Sequence, residues 1–174
     1  MSLHQSQPDR VQKHHDDLTG EYIYGDLIQL VCLVIFLIVW IADSIFLHKT
    51  DYSSLLTPYL RVPAGMIILV ASFYVASTGL KIVFGTEHPE PTVIDYGVFK
   101  WVRHPIYLSA LGFYLGLLWI KFSLSATGIW LGIIVMYYFL SRFEEQLLIK
   151  RFGTQYTAYM KRVPMLFPKL FRGK

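Results

Sequence analysis

The chain carries little charge and a single cysteine. Charged residues make up 16% of its 174 residues, against roughly 25% in an average soluble domain. Hydrophobic residues make up 54%, more than a soluble domain of this length could hide, so the composition argues against a soluble fold. The lone Cys32 excludes an intrachain disulfide and a zinc centre built from several cysteines.

Several familiar patterns are also missing. No glycine-rich loop follows a strand, so a soluble-type nucleotide-binding fold is not indicated. No serine, histidine and aspartate form a recognisable hydrolase pattern. Residues 1–26 lack a charged start followed by a short apolar core and a small-residue cleavage site, so no signal peptide is indicated.

The sequence does contain long apolar runs, which a helix of about 20 residues would use to cross a bilayer. These runs occupy residues 27–47, 62–84, 106–120 and 124–141, the third being short for a full crossing. Pro63 suits a helix start, since its missing N–H would be unpaired there anyway. Asp43 falls near the end of the first run, where it is predicted to reach the membrane interface.

The third and fourth runs are separated by residues 121–123 alone, which predicts a tight helical hairpin. Each run carries a Gly-x-x-x-Gly motif, Gly112 with Gly116 and Gly128 with Gly132. Small residues four apart let helix backbones approach closely within a membrane, so these glycines are assigned a structural role in the hairpin. The prediction is an all-α integral membrane protein of about four transmembrane helices.

From Arg142 onward the chain becomes amphipathic and basic. This C-terminal segment is predicted to lie on the membrane surface and fold back on the hairpin. Thirteen of the 16 Lys and Arg residues fall on the side of both termini, which predicts that this side is cytoplasmic. Because the net charge of +4 lies beside apolar spans, anionic lipid headgroups are the expected partner, and nucleic acid is not.

Two polar clusters meet the membrane on the predicted cytoplasmic side. Arg103, His104 and Tyr107 open the third span, and Glu144 and Glu145 close the fourth. A hairpin brings these two ends together, where Arg can bind a carboxylate and Glu an ammonium group of a zwitterionic ligand. Each residue alone could instead extend to the headgroups or form a weak surface ion pair.

The order of these motifs resembles a known superfamily over residues 85–168. The resemblance is carried by Gly97-Val98-Phe99, Arg103-His104-Pro105-Ile106-Tyr107, Glu144-Glu145-Gln146-Leu147-Leu148, Phe152-Gly153-Thr154-Gln155-Tyr156 with Tyr159, and Val163-Pro164 with Pro168. Arranged around an apolar hairpin, this set looks like the isoprenylcysteine carboxyl methyltransferase and phospholipid methyltransferase superfamily.

The resemblance implies an S-adenosylmethionine-dependent methyltransferase whose cytoplasmic cofactor pocket is covered by the C-terminal tail. A lipid or other lipophilic acceptor would enter from the bilayer, and no metal is implied. The chain would divide into a polar cytoplasmic tail (1–26), two transmembrane helices (27–84) and a catalytic region (85–174). The implied catalytic residues are Arg103 and Glu144, and the implied cofactor-binding residues are His88, Arg103, His104, Tyr107, Glu144 and Glu145.

Two positions depart from the family pattern. Ser109 stands where many relatives have glycine, and Pro91 stands where carboxyl-methylating relatives often have histidine. His88, three residues earlier, is the candidate replacement for that histidine. These departures leave the acceptor open, including the choice between O-, N- and S-methylation.

Two other classes of protein remain as alternatives. A membrane reductase of the sterol-reductase type shares a His-Pro-x-Tyr element and would bind NADPH. The arginine before His104 and the paired glutamates favour the methyltransferase. A non-enzymatic membrane scaffold would bind neither cofactor. The oligomeric state stays open, since Gly-x-x-x-Gly serves packing within one chain as readily as dimerisation.

Overall fold

A computed structural model describes the chain over residues 25–47, 50, 54, 56–85 and 92–168. In this part of the chain every regular element is helical, which confirms the predicted all-α fold. The helices are α1 (Gly25–Ile41), α2 (Pro58–Phe84), α3 (Pro105–Ile120), α4 (Leu124–Phe152) and α5 (Thr154–Arg162). A π-helical segment, Ala42–Leu47, continues α1, and a 3₁₀ turn, Gly97–Lys100, lies between α2 and α3.

Three helical stretches are long and apolar enough to cross a membrane, namely Leu27–Leu47, Pro58–Phe84 and Leu124–Phe152. They correspond to the first, second and fourth predicted spans, and they expose large apolar side chains such as Leu30, Val70 and Phe139. The chain is therefore an integral membrane protein. Helix α3 has 16 residues, about 24 Å of helix against a hydrocarbon core of about 30 Å, so the count of four spans stays a prediction.

Two predicted helix boundaries were wrong. Helix α2 begins at Pro58, not near Pro63, because Pro58 itself provides the proline of the first turn and Pro63 lies inside the helix. Helix α4 does not end near Ser141 but continues to Phe152. It stops at Gly153, whose positive φ of 55° favours a residue without a side chain.

The glycine motifs pack differently from the prediction. A Cβ atom at Gly116 would lie 2.7 Å from Leu69 Cδ2, and one at Gly65 would lie 2.8 Å from the Gly116 carbonyl oxygen. Gly112 likewise faces Ser72, so the glycines of α3 allow close contact with α2. Gly128 and Gly132 have no atom of the described residues within 4 Å of such a Cβ, so they do not pack the hairpin.

A buried polar cluster joins α1 to the start of α4. Asp43, only 5% exposed, accepts hydrogen bonds from the Thr50 backbone N–H (3.0 Å) and hydroxyl (2.5 Å) and from the Ser123 hydroxyl (2.6 Å). Ser123 Oγ also accepts from the Ala126 N–H and so caps α4. We call Asp43, Thr50 and Ser123 the Asp43 cluster. The protein thus buries the aspartate that was predicted to reach the membrane interface.

The C-terminal segment folds back onto the start of α3, as predicted. The backbone N–H groups of Arg103 and His104 donate to the carbonyls of Pro164 (2.9 Å) and Met165 (3.1 Å). The next residue, Leu166, is 3% exposed and packs in the main hydrophobic core. We call residues 154–168 the tail.

Candidate active site

The start of α3 and the last third of α4 carry the candidate site. Pro105 occupies the first turn of α3, and a proline keeps the preceding residue, His104, out of helical backbone geometry. The N–H groups of Arg103 and His104 are therefore free to bond to the tail, while both side chains turn toward α4. The structure brings together Arg103, His104, Tyr107, Glu144 and Glu145, which we call the charged cluster; their roles stay predictions.

Arg103 connects α4 to the tail. Its Nε and Nη2 atoms lie 2.7 Å and 2.6 Å from Glu145 Oε1, and its Nη1 donates to the carbonyls of Met160 and Val163, both at 2.8 Å. The two charged side chains are 9% and 2% exposed. A pair this buried adds little net stability, because desolvation offsets the attraction, but removing one partner is strongly destabilising.

His104 lies between the two glutamates. Its Nδ1 is 3.3 Å from Glu144 Oε2, and its Nε2 is 3.5 Å from Glu145 Oε1. Burial alone would lower the pKa of His104, yet the interactions with the carboxylates of Glu144 and Glu145 raise it above its ordinary value. With His104 protonated, two positive and two negative side chains balance in the cluster.

Tyr107 fixes the second carboxylate. Its hydroxyl donates to Glu144 Oε1, and its ring stacks on His104 with centroids 5.7 Å apart. On its other side the ring contacts Tyr137 at 5.0 Å. Glu144 is thereby held by both Tyr107 and His104.

Four buried polar atoms of this region make no hydrogen bond within the residues that the structure describes: His104 Nε2, Glu145 Oε2, Ser141 Oγ and the Tyr137 hydroxyl oxygen. Leaving a buried polar group unsatisfied costs about 1–3 kcal/mol, so these atoms are suited to bonding with a ligand. The sequence analysis did not identify Ser141 as a candidate site residue. Its position three and four residues before the two glutamates, on the same helix face, was the available signal.

A cleft of about 610 Å³ lies beside the charged cluster, between the 3₁₀ turn and the tail. Sequence reasoning missed it, because its two walls are far apart in the chain. Its charged lining residues are Asp95, Lys100 and Arg162, and Arg162 Nη2 lies 3.2 Å from Asp95 Oδ2. Tyr159 braces the two walls by donating to the Phe99 carbonyl at 2.6 Å.

The remaining predicted site residue, His88, lies outside the described residues, as does Pro91. The prediction that His88 replaces a family histidine therefore stays a prediction. Ser109, the other departure, is buried, and its hydroxyl donates to the Ile106 carbonyl at 2.7 Å. Among the described residues, no group of three or more His, Cys, Asp or Glu side chains could hold a metal ion.

Comparison with known proteins adds two findings. Residues 56–155 match the phospholipid methyltransferase family, a stretch that contains the whole charged cluster. A 76-residue stretch of the chain is 40% identical to methanethiol S-methyltransferase 2 of Bradyrhizobium diazoefficiens. It covers 42% of this chain but only 28% of that protein. No solved structure matches the chain.

Proposed function

This chain belongs to the phospholipid methyltransferase family, and we propose that it transfers a methyl group from S-adenosylmethionine to a lipophilic acceptor. The observation that carries the proposal is the buried charged cluster, which lies inside the family match and keeps polar atoms without hydrogen bonds. The activity, the methyl donor and the acceptor are all part of the proposal, and the family match supports the first of them.

The charged cluster fits the amino-acid end of the donor. Glu145 Oε2 is a buried acceptor able to bind an ammonium group, and His104 Nε2, as a protonated imidazole nitrogen, can donate to a carboxylate. When bound, S-adenosylmethionine supplies an activated methyl on sulfur, so the protein mainly has to align it with the acceptor. The tail covers this end of the helices and would exclude water.

Arg103 was predicted to bind a ligand carboxylate directly. Its Nε, Nη1 and Nη2 atoms already donate to Glu145 and to two tail carbonyls, so we propose that it acts through them. It would hold Glu145 in place and keep the tail closed over the site. Arg103 is then a positioning residue that connects Glu145 on α4 to the tail, the two parts of the proposed cofactor pocket.

Glu144 is the proposed catalytic carboxylate. A thiol or an amine has to lose a proton when it is methylated, whereas a carboxylate acceptor does not. Glu144 is held by Tyr107 and His104 beside the end of a membrane-spanning helix, where an acceptor arriving from the bilayer would meet it. It is therefore placed to receive that proton.

The acceptor is proposed to be a molecule that partitions into the bilayer. The family name indicates phospholipids, and the similar protein of Bradyrhizobium is named for a small thiol. Both are lipophilic, and an amine headgroup or a thiol would each need a base such as Glu144.

We also propose that the charged cluster faces the cytoplasm, with both termini on that side. Lys100, Arg142 and Arg162 lie near the Glu145 end of α4. Arg61 and Lys121 lie at the opposite end, where Arg61 donates to the Ile120 carbonyl. This asymmetry is the positive-inside pattern and supports the orientation. The division into residues 1–26, 27–84 and 85–174 stays part of the proposal.

The test uses the full chain purified in detergent. Isothermal titration should show binding of S-adenosylhomocysteine and none of NADPH. Transfer of a labelled methyl from S-adenosylmethionine should then appear with either butanethiol or an ethanolamine phospholipid. Binding of NADPH alone would indicate a reductase, and binding of neither cofactor a scaffold; both results would overturn the proposal.

A further inference from the structure

The cleft between the 3₁₀ turn and the tail differs in charge from the charged cluster. Lys100 and Arg162 line it together with a single carboxylate, Asp95, which leaves one net positive charge, whereas the charged cluster holds two carboxylates against Arg103 and His104. Arg162 and Asp95 are 62% and 47% exposed, so their ion pair is weak. An anion entering the cleft can therefore take over Arg162 from Asp95 and bind Lys100 as well.

The surroundings of the cleft indicate the source of the anion. Two large aromatic residues that line it are exposed: Trp101 (62%) and Tyr96 (44%). Trp and Tyr concentrate where spans meet the headgroups, and the cleft lies between the end of α2 and the start of α3. The opening is thus at headgroup level, with cations for a phosphate and aromatic rings for the adjoining glycerol and acyl region.

We propose that this cleft binds the phosphate of an anionic phospholipid, which is not a substrate but an activator. The inference goes beyond the proposed function, although its effect on cofactor binding rests on that function. The phosphate would lie between Lys100 and Arg162, with Trp101 against the lipid.

The cleft and the charged cluster share the tail, which provides the coupling. Val163 and Pro164 line the cleft, and their carbonyls accept hydrogen bonds from the Arg103 side chain and backbone N–H. A lipid that holds the tail against the 3₁₀ turn also holds it against Arg103, and through Arg103 it fixes Glu145. Lipid binding and cofactor binding should therefore strengthen each other equally.

The first test measures S-adenosylhomocysteine affinity of the full chain in nanodiscs. Replacing part of the phosphatidylcholine by phosphatidylglycerol, which has no amine or thiol to methylate, should tighten binding about fivefold, the low end of typical coupling between sites. Inorganic phosphate added to phosphatidylcholine nanodiscs should have no such effect. Equal affinity in the two lipids, or an effect of free phosphate alone, overturns the proposal.

Matched variants separate the cleft from general surface charge. Lys100→Ala and Arg162→Ala should abolish the phosphatidylglycerol effect, while Lys161→Ala, an exposed neighbour of Arg162 that does not line the cleft, should retain it. Equal loss in all three variants would mean non-specific attraction and overturn the site.

A second readout needs no cofactor. Native mass spectrometry should show phosphatidylglycerol retained by the wild type and by Lys161→Ala but lost from Lys100→Ala and Arg162→Ala. Retention of lipid with no cofactor binding would refute the proposed function but support the lipid site in the cleft. Cofactor binding with equal lipid retention in every variant would refute the lipid site in the cleft and leave the proposed function unaffected.

Discussion

Two buried polar clusters lie near opposite ends of α4, and they are built differently. In the Asp43 cluster one carboxylate accepts three hydrogen bonds from neutral donors, and both of its oxygens are used. In the charged cluster two carboxylates face an arginine and a histidine. There, polar atoms of Glu145 and His104 make no hydrogen bond with the part of the chain that the structure describes.

The difference shows that burial of a charged residue near a membrane does not by itself mark a functional site. Asp43 and Glu145 are 5% and 1% exposed, yet only the glutamate keeps an oxygen without a hydrogen bond. Buried polar groups are normally satisfied, so each exception calls for an explanation. We interpret the Asp43 cluster as a structural contact that stabilises the fold and the charged cluster as a ligand site. Substitutions in each cluster test these two interpretations.

A large effect on stability alone is expected from Asp43→Ala. The change leaves three donors of Thr50 and Ser123 without their acceptor, and hydrogen bonds to charged groups contribute about 1.5–3 kcal/mol each. Unfolding free energy in detergent should fall by about 3 kcal/mol or more. Affinity of the folded fraction for S-adenosylhomocysteine should stay unchanged, and a selective loss of affinity would contradict the comparison.

Glu145→Gln is expected to lower ligand affinity in addition to stability, which falls because Arg103 loses its buried charged partner. The change removes the negative charge proposed to bind the ammonium group, so S-adenosylhomocysteine should bind roughly ten- to a hundredfold more weakly by calorimetry. Gln146→Ala, at the exposed neighbouring position, is the control and should bind normally. If Glu145→Gln lowered only the melting temperature, the Arg103–Glu145 pair would be a structural bridge.

The smallest effects on stability are expected from substitutions of two buried serines. The Ser109 hydroxyl donates to the Ile106 carbonyl, so Ser109→Ala should lower unfolding free energy by about 1 kcal/mol. Ser141 Oγ has no hydrogen bond to the described residues, so Ser141→Ala should leave stability unchanged or raise it. Equal losses in the two variants, measured in the same detergent, would show that Ser141 is as well satisfied as Ser109.

Much of the fold could be predicted, because the bilayer thickness sets the length of apolar runs. The run at 27–47 coincides with a helical stretch that can span a membrane. The end of α4 could not be predicted, since Arg142 and the polar residues after it resemble a surface segment, although the helix continues until Gly153. The motif at Gly112 and Gly116 indicates close packing, but the choice of α2 as partner is a tertiary property.

The charged cluster could be predicted in part. Arg103 and Glu145 lie at the open end of the predicted hairpin, where charged residues next to apolar runs are easy to recognise in the sequence. The hydrogen bonds from Arg103 to the tail carbonyls could not be predicted. Every residue has a backbone carbonyl, so the sequence does not indicate which ones an arginine will bind. The cleft was hidden because Lys100 and Arg162 meet only when the tail folds back.

The attachment of the tail also bears on how fast ligands are exchanged. Opening it means breaking the backbone hydrogen bonds of Arg103 and His104 and withdrawing Leu166 from the core. Exposing a buried leucine alone costs about 1.5–3 kcal/mol, so the tail is open in at most about one molecule in ten. A ligand beneath the tail would then dissociate only during these openings, and hydrogen exchange at the Arg103 and His104 amides would report their frequency.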